Sequence, residues 1–284
     1  MEGPCADHVG LYTLLDTVCE QFNFDPTSIT ILTSNDEETH HRYQIKIQPR
    51  WHIGTLRQYL FTNKITAAQF HNKNFQNLFG CFYNIPSWDR LCILAYVKFN
   101  SPHNNILGCN GITQSHCYNT YQIDKLFEFA PNELYNVTKL VNSDLGPLPD
   151  HPAPGQSDKP SAPAQLDVLK YYNDFFVDIV GETYIHGLTF YPTEKTWRPI
   201  LAKTPFLVSG PQGFLDNLRS RYKIQTFAKW WDESYDQYQN YQRIEKIYRV
   251  IDQLNSLSLS DLSTMYQEMM PVLEHNFKIF RTLS

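Results

Sequence analysis

Apolar and polar positions along this chain switch between the period of a helix and that of a strand, and the switches mark its elements. Between residues 9 and 22 the apolar positions are Val9, Leu11, Leu14, Leu15, Val18 and Phe22, which is helical spacing. Residues 28–33 and 42–47 follow the shorter period of strands, and the polar stretch 34–41 between them holds three acids and two histidines. The pattern predicts helices over 51–61 and 66–75. A compact apolar run over 78–83 reads as a buried strand, followed by a helix over 90–97, a strand over 104–109 and a helix over 121–129.

The second half repeats this order more clearly. Residues 175–180 form an apolar run of strand length, Thr193 can cap a helix opening with Glu194 and Lys195, and 205–208 is a second buried strand closed by Ser209-Gly210. Such alternation is the signature of a parallel α/β sheet. Further on, the pattern predicts a helix over 214–222, a short edge strand over 224–227 and a helix over 239–254. A last helix over 260–280 has Ser260 as its cap and Pro271 as a possible break. Residues 146–164 are rich in proline and read as an extended surface loop within the second domain. The expected organisation is an abbreviated N-terminal lobe (1–75), a larger lobe (76–236) and C-terminal helices (237–284).

Composition narrows the functional classes. A net charge of −5 gives no overall basic field of the kind a passive nucleic-acid binder shows. Locally, Arg42, Lys46, Arg50, Arg57, Lys64 and Lys73 make the N-terminal lobe basic. The six cysteines form no C-x-x-C pair, and Cys81 and Cys92 sit in apolar runs as small core residues. Cys109, His116 and Cys117 draw one corner of a metal site without a second pair to complete it, so no metal is expected. No signal sequence and no membrane-spanning run are read, and the expected setting is the cytoplasm.

Two places carry candidate chemistry. Ligands of parallel sheets bind beyond the carboxyl ends of the strands. There the first turn at Thr193-Glu194-Lys195-Thr196 combines a helix N-terminus, a full positive charge and a carboxylate able to accept two sugar hydroxyls. The same residues also fit an ordinary capped helix with an exposed first turn. Arg90, early in a helix that follows a buried strand, opposes the helix dipole. A bound phosphate would turn that cost into a gain; a surface ion pair with Asp89 is the plainer account.

Phe190-Tyr-Pro-Thr-Glu-Lys-Thr-Trp-Arg-Pro, followed by Thr204-Pro-Phe-Leu-Val-Ser-Gly210, resembles the donor-binding motif of the family 10, α1,3-fucosyltransferase-like glycosyltransferases. The likeness is nearest to phage and bacterial relatives that end in a stretch like Trp231-Asp-Glu-Ser-Tyr-Asp236, and it covers roughly residues 77–236. Glu182-Thr183 stands where the family has Glu-Asn, and Ser87-Trp-Asp-Arg90 resembles its upstream arginine element. The resemblance implies a GT-B fold of two Rossmann-like lobes. It also implies a nucleotide-diphosphate-sugar donor and no metal or other cofactor. Arg90 and Lys195 would neutralise the diphosphate and Glu194 would hold the ribose, with Glu182, Thr193 and Thr196 lining the donor site. Asp36, Glu37 and Glu38 are the candidates for general base. The implied acceptor is a glycan or a hydroxymethylated pyrimidine in DNA, in the host cytoplasm if the protein is phage-encoded. A catalytically inactive binding or structural protein built on the same lobe is the alternative.

Overall fold

The computed structural model describes residues 10–33, 40–47, 70, 73, 75–83, 86–109, 120–143, 168–183, 185 and 190–283. Helix α1 (Leu11–Phe22) leads to two short strands, β1 (Thr30–Thr33) and β2 (Gln44–Ile47), which pair in parallel. Tyr12, Cys19, Ile31 and Tyr43 give this region a small core of its own. The Tyr43 hydroxyl donates to Asp16, which also pairs with Arg42 at 2.8 Å. One of the basic residues of this region is therefore already matched by an acid.

The main sheet has four strands, β3 (Asn77–Tyr83), β4 (Ile106–Cys109), β5 (Phe175–Gly181) and β6 (Phe206–Ser209), in the order β4-β3-β5-β6 and all parallel. Every residue of β5 and β6 is buried. That is why these strands read as continuous apolar runs: helices cover a parallel sheet on both faces. The helices are α2 (Trp88–Asn100), α3 (Thr120–Phe129), α4 (Leu134–Val141), α5 (Glu194–Leu201), α6 (Phe214–Tyr222), α7 (Asn240–Asn255) and α8 (Leu259–Thr282). Side chains alternate along β5, so Gly181 faces Tyr83 and Arg90 of α2 while Asp178 interacts with Arg198 of α5. Helix α7 packs on α2 through Tyr96 and Tyr248, stacked at 3.7 Å, and α8 packs on α5 through Trp197 and Phe280. Among the described residues no helix is long and apolar enough to cross a membrane. The protein is a mixed α/β structure built on parallel sheets.

Several expectations shift. Helix α4 was not foreseen. Residues 224–227 form no strand, because the Asn276 side chain of α8 satisfies both backbone groups of Gln225, accepting from its N–H and donating to its carbonyl. Helix α8 starts earlier than predicted, with Ser258 as the cap and Asp261 completing a capping box. Pro271 neither breaks nor divides it. The carbonyl of Gln267, which loses its helical partner, belongs to an exposed residue that water can serve. The helix over 51–61, most of that over 66–75, the loop 34–39 and the proline-rich stretch 146–164 lie outside the described residues.

Lys73 also departs from expectation. It does not contribute to a basic N-terminal face: its ammonium is tucked under the amino ends of the strands, donating to the Tyr172 carbonyl and to Thr204 Oγ1 at 2.8 Å. Phe75 packs beside it, edge-on to Phe176 and Tyr266. Burial pushes the Lys73 ammonium down to about 7, against the pull of Asp174. Because its folded value lies below its unfolded one, the unfolded chain binds the extra proton between about pH 7 and 10.5. Lys73 should therefore make stability rise with pH across that window. Denaturant melts from pH 7 to 10.5 should show this rise in the wild type and a flatter profile in Lys73→Met.

Gly80 is a purely steric test of the sheet. A Cβ there would lie 2.6 Å from the Phe175 ring. Gly80→Ala should cost about 1–3 kcal/mol in urea unfolding, as overpacked cores do.

Candidate functional site

The chain leaves β3 toward β4 on one side and returns to β5 on the other, so the carboxyl ends of β3 and β5 border the switch point of the sheet. This is where parallel α/β sheets hold their ligands. Arg90, in the first turn of α2, reaches across that point. Its Nη2 donates to the carbonyls of Gly181 and Glu182, at 2.9 and 2.7 Å. Arg90 is only 4% exposed and so does not lie on the surface; the carbonyls at the end of β5 offset the charge that the helix dipole disfavours. The approach depends on Gly181, since a Cβ there would come within 2.8 Å of the Tyr83 ring and 3.0 Å of Arg90. Asp89 beside it accepts from Ser87 Oγ at 2.6 Å and, more loosely, from Ser209 Oγ at the end of β6.

The chain emerging from β5 is organised by Glu182. Its buried carboxylate accepts from Thr193 N (3.1 Å), Thr193 Oγ1 (2.7 Å), Thr196 Oγ1 (2.6 Å) and Thr183 N (3.3 Å). Thr193 Oγ1 in turn caps α5 by accepting from Lys195 N. A protein carboxylate thus already occupies the favourable end of the helix dipole, the place where the sequence suggested a ligand phosphate. Thr196 is fully buried and supports this arrangement from behind.

Lys195 is held at three points. Its ammonium lies 2.9 Å from Glu194 Oε1, 3.2 Å from Thr193 Oγ1 and 3.3 Å from Thr183 Oγ1, and its side chain is 11% exposed. Glu194 is similarly enclosed. Six sequence-predicted residues, Arg90, Glu182, Thr193, Glu194, Lys195 and Thr196, therefore converge at the carboxyl end of β5. Asp36, Glu37 and Glu38 lie outside the described residues. Cys109 is buried, His116 and Cys117 lie outside the described residues, and no group of three or more metal-ligating side chains occurs among the described ones.

Other residues of the site went unnoticed in the sequence. Asp178 interrupts the apolar run of β5, and Arg198 follows Glu194 by one helical turn. Both are buried, and Arg198 is within electrostatic reach of Tyr172, Asp178, Glu194 and Glu182. A charged residue inside a buried strand was the available signal, since it demands a partner.

The stretch Trp230 to Asp236 proves to be scaffolding. Asp232 accepts from the backbone and hydroxyl of Ser234. Glu233 accepts from Phe227 N, Thr226 Oγ1 and Arg219. Asp236 accepts from the first-turn amides of α6 and pairs with the fully buried Arg243 at 3.0 Å.

No protein-family model matches this chain, and neither a curated protein nor a solved structure matches it.

Replacing Glu182 tests the arrangement directly. Glu182→Ala leaves the Thr193 and Thr196 donors buried without an acceptor and should cost about 3 kcal/mol in urea unfolding. A loss below about 1 kcal/mol would show that this carboxylate does not organise the start of α5.

Proposed function

We propose that this chain is a nucleotide-sugar-dependent glycosyltransferase of GT-B type that transfers a sugar to a hydroxyl acceptor, either a hydroxymethylated pyrimidine in DNA or a glycan. One observation carries the reading. At the switch point of a parallel sheet, Arg90 grips the carbonyl of Glu182 while Lys195 rests on the hydroxyl of the next residue, Thr183. Two cations anchored on the adjacent residues Glu182 and Thr183 suit a diphosphate.

The chemistry follows from charge. Breaking the sugar–phosphate bond leaves negative charge on the diphosphate, which the charges of Arg90 and Lys195 would stabilise. Together they supply the charge that a divalent ion brings in other sites. Lys195 would exchange its contact with Glu194 for a phosphate oxygen, freeing the Glu194 carboxylate for the ribose hydroxyls. The acceptor hydroxyl needs a base, and the proposed candidates are Asp36, Glu37 and Glu38.

A second reading rests on a different observation. Glu182, Thr193, Lys195 and Thr196 satisfy one another, and little of the cluster is exposed. A lobe that kept its fold after losing catalysis, and now serves as a binding or structural protein, would show the same closure.

A thermal-shift panel of GDP, UDP, ADP and CMP on wild type and Lys195→Ala separates the two. A ligand at about a hundred times its Kd stabilises by roughly 2.7 kcal/mol. The glycosyltransferase reading expects one diphosphate to shift the wild type and to lose that shift in the variant. If none shifts the wild type, the binding or structural protein takes its place.

A further inference from the structure

Beneath the helix that carries Glu194 and Lys195 lies a second layer of charge. Asp178, on β5, is 1% exposed. Its Oδ2 accepts from the Tyr172 hydroxyl, and its Oδ1 accepts no hydrogen bond from the described residues. Above it Arg198, also 1% exposed, interacts with Tyr172 and Asp178 on the sheet side and with Glu194 and Glu182 at the start of α5. One buried guanidinium is thus shared between the interior of the sheet and the two carboxylates that hold Thr193 and Lys195.

We propose that Arg198 is a positioning residue for the anion site and that Asp178, acting through it, sets how strongly Lys195 attracts an anion. The inference rests on reading the Arg90–Lys195 region as a diphosphate site. When Asp178 is ionised it absorbs much of the field of Arg198. Glu182 and Glu194 are then less compensated, and Glu194 holds Lys195 firmly. When Asp178 is neutral, Arg198 is turned toward Glu182 and Glu194, the grip on Lys195 loosens, and the site is one charge more positive. In a buried region of low dielectric such a change carries over several ångströms.

Asp178 is suited to this role. Burial pushes its carboxyl up to about 6, while Arg198 and Tyr172 pull the other way. Among the described residues the Cys81 thiol and the Tyr83 phenol also interact with it, and burial pushes both of these and the Tyr172 phenol further from ionising. Because the folded value lies above the unfolded 3.8, the stability contributed by the proton is full below 3.8 and lost as pH rises through about 6. Anion affinity should fall across the same upper range.

The test is calorimetric titration of inorganic pyrophosphate at pH 5 and 7.5 into wild type, Asp178→Asn and Arg198→Lys. Pyrophosphate itself titrates in this range, so the readout is the affinity ratio between the two pH values, compared across proteins. Wild type should lose about five- to tenfold more affinity than Asp178→Asn between pH 5 and 7.5. Arg198→Lys should keep part of that difference. Since Arg198→Met alone would strand a buried carboxylate, the double variant Asp178→Asn/Arg198→Met serves as the neutral control. It should fold, as judged by circular dichroism, bind more weakly and show the same pH ratio as Asp178→Asn. Equal ratios in wild type and Asp178→Asn would overturn the inference and leave the diphosphate site standing. Absence of pyrophosphate binding in every protein at both pH values would remove the site and the inference together.

Discussion

The carboxyl end of the main sheet depends on the buried carboxylate of Glu182. A carboxylate removed from water must recover its lost hydration from fixed donors. Glu182 does so by collecting both the backbone and the hydroxyl of Thr193, together with the hydroxyl of Thr196. Those contacts fix where α5 begins and place Lys195. The same residue's carbonyl takes the guanidinium of Arg90, so α2 and α5, on opposite faces of the sheet, are tied to one point of the chain. If this point is lost, the start of α5 loses the acceptor that ties Thr193 and Thr196 to the end of β5.

The same device recurs. Asp236 serves the first turn of α6 as Glu182 serves α5, and Asp261 completes the box that starts α8. At each of these starts a protein carboxylate meets the positive end of the helix dipole. A ligand anion would therefore meet side-chain cations rather than an open ring of amides. In the proposed diphosphate site, Arg90 and Lys195 would then carry the work that the helix end was expected to share. It also explains how α5, with Glu194, Lys195, Thr196 and Arg198 among its eight residues, can be buried throughout. Its charges neutralise one another and those of β5, which limits the cost of removing them from water.

Rigidity and function are closely linked in such an arrangement. Groups that hold α5 in place are the groups a ligand would have to engage, and each is nearly enclosed. Binding would replace one set of charge contacts by another, so the balance between Glu194 and an incoming anion would be set by the charges behind them. Arg198 and Asp178 form that background.

Much of the fold was legible from periodicity. The strands of the main sheet and helices α2, α5, α6 and α7 are signalled by apolar runs and helical spacing, because burial of one face or of both leaves a direct trace in residue type. The Thr193 cap was equally legible, since capping is local. Residues 224–227 look like a strand by composition but are held irregular by Asn276, some fifty positions away in sequence. Lys73 reads as a surface base yet lies under β5 and β6. What the sequence alone determined was the order of elements and the residue types at the ends of strands. Only the tertiary structure decided which partners those residues take, because Glu182 meeting Thr193, Arg90 meeting the end of β5, and Arg198 meeting Asp178 are contacts between segments that no local pattern encodes.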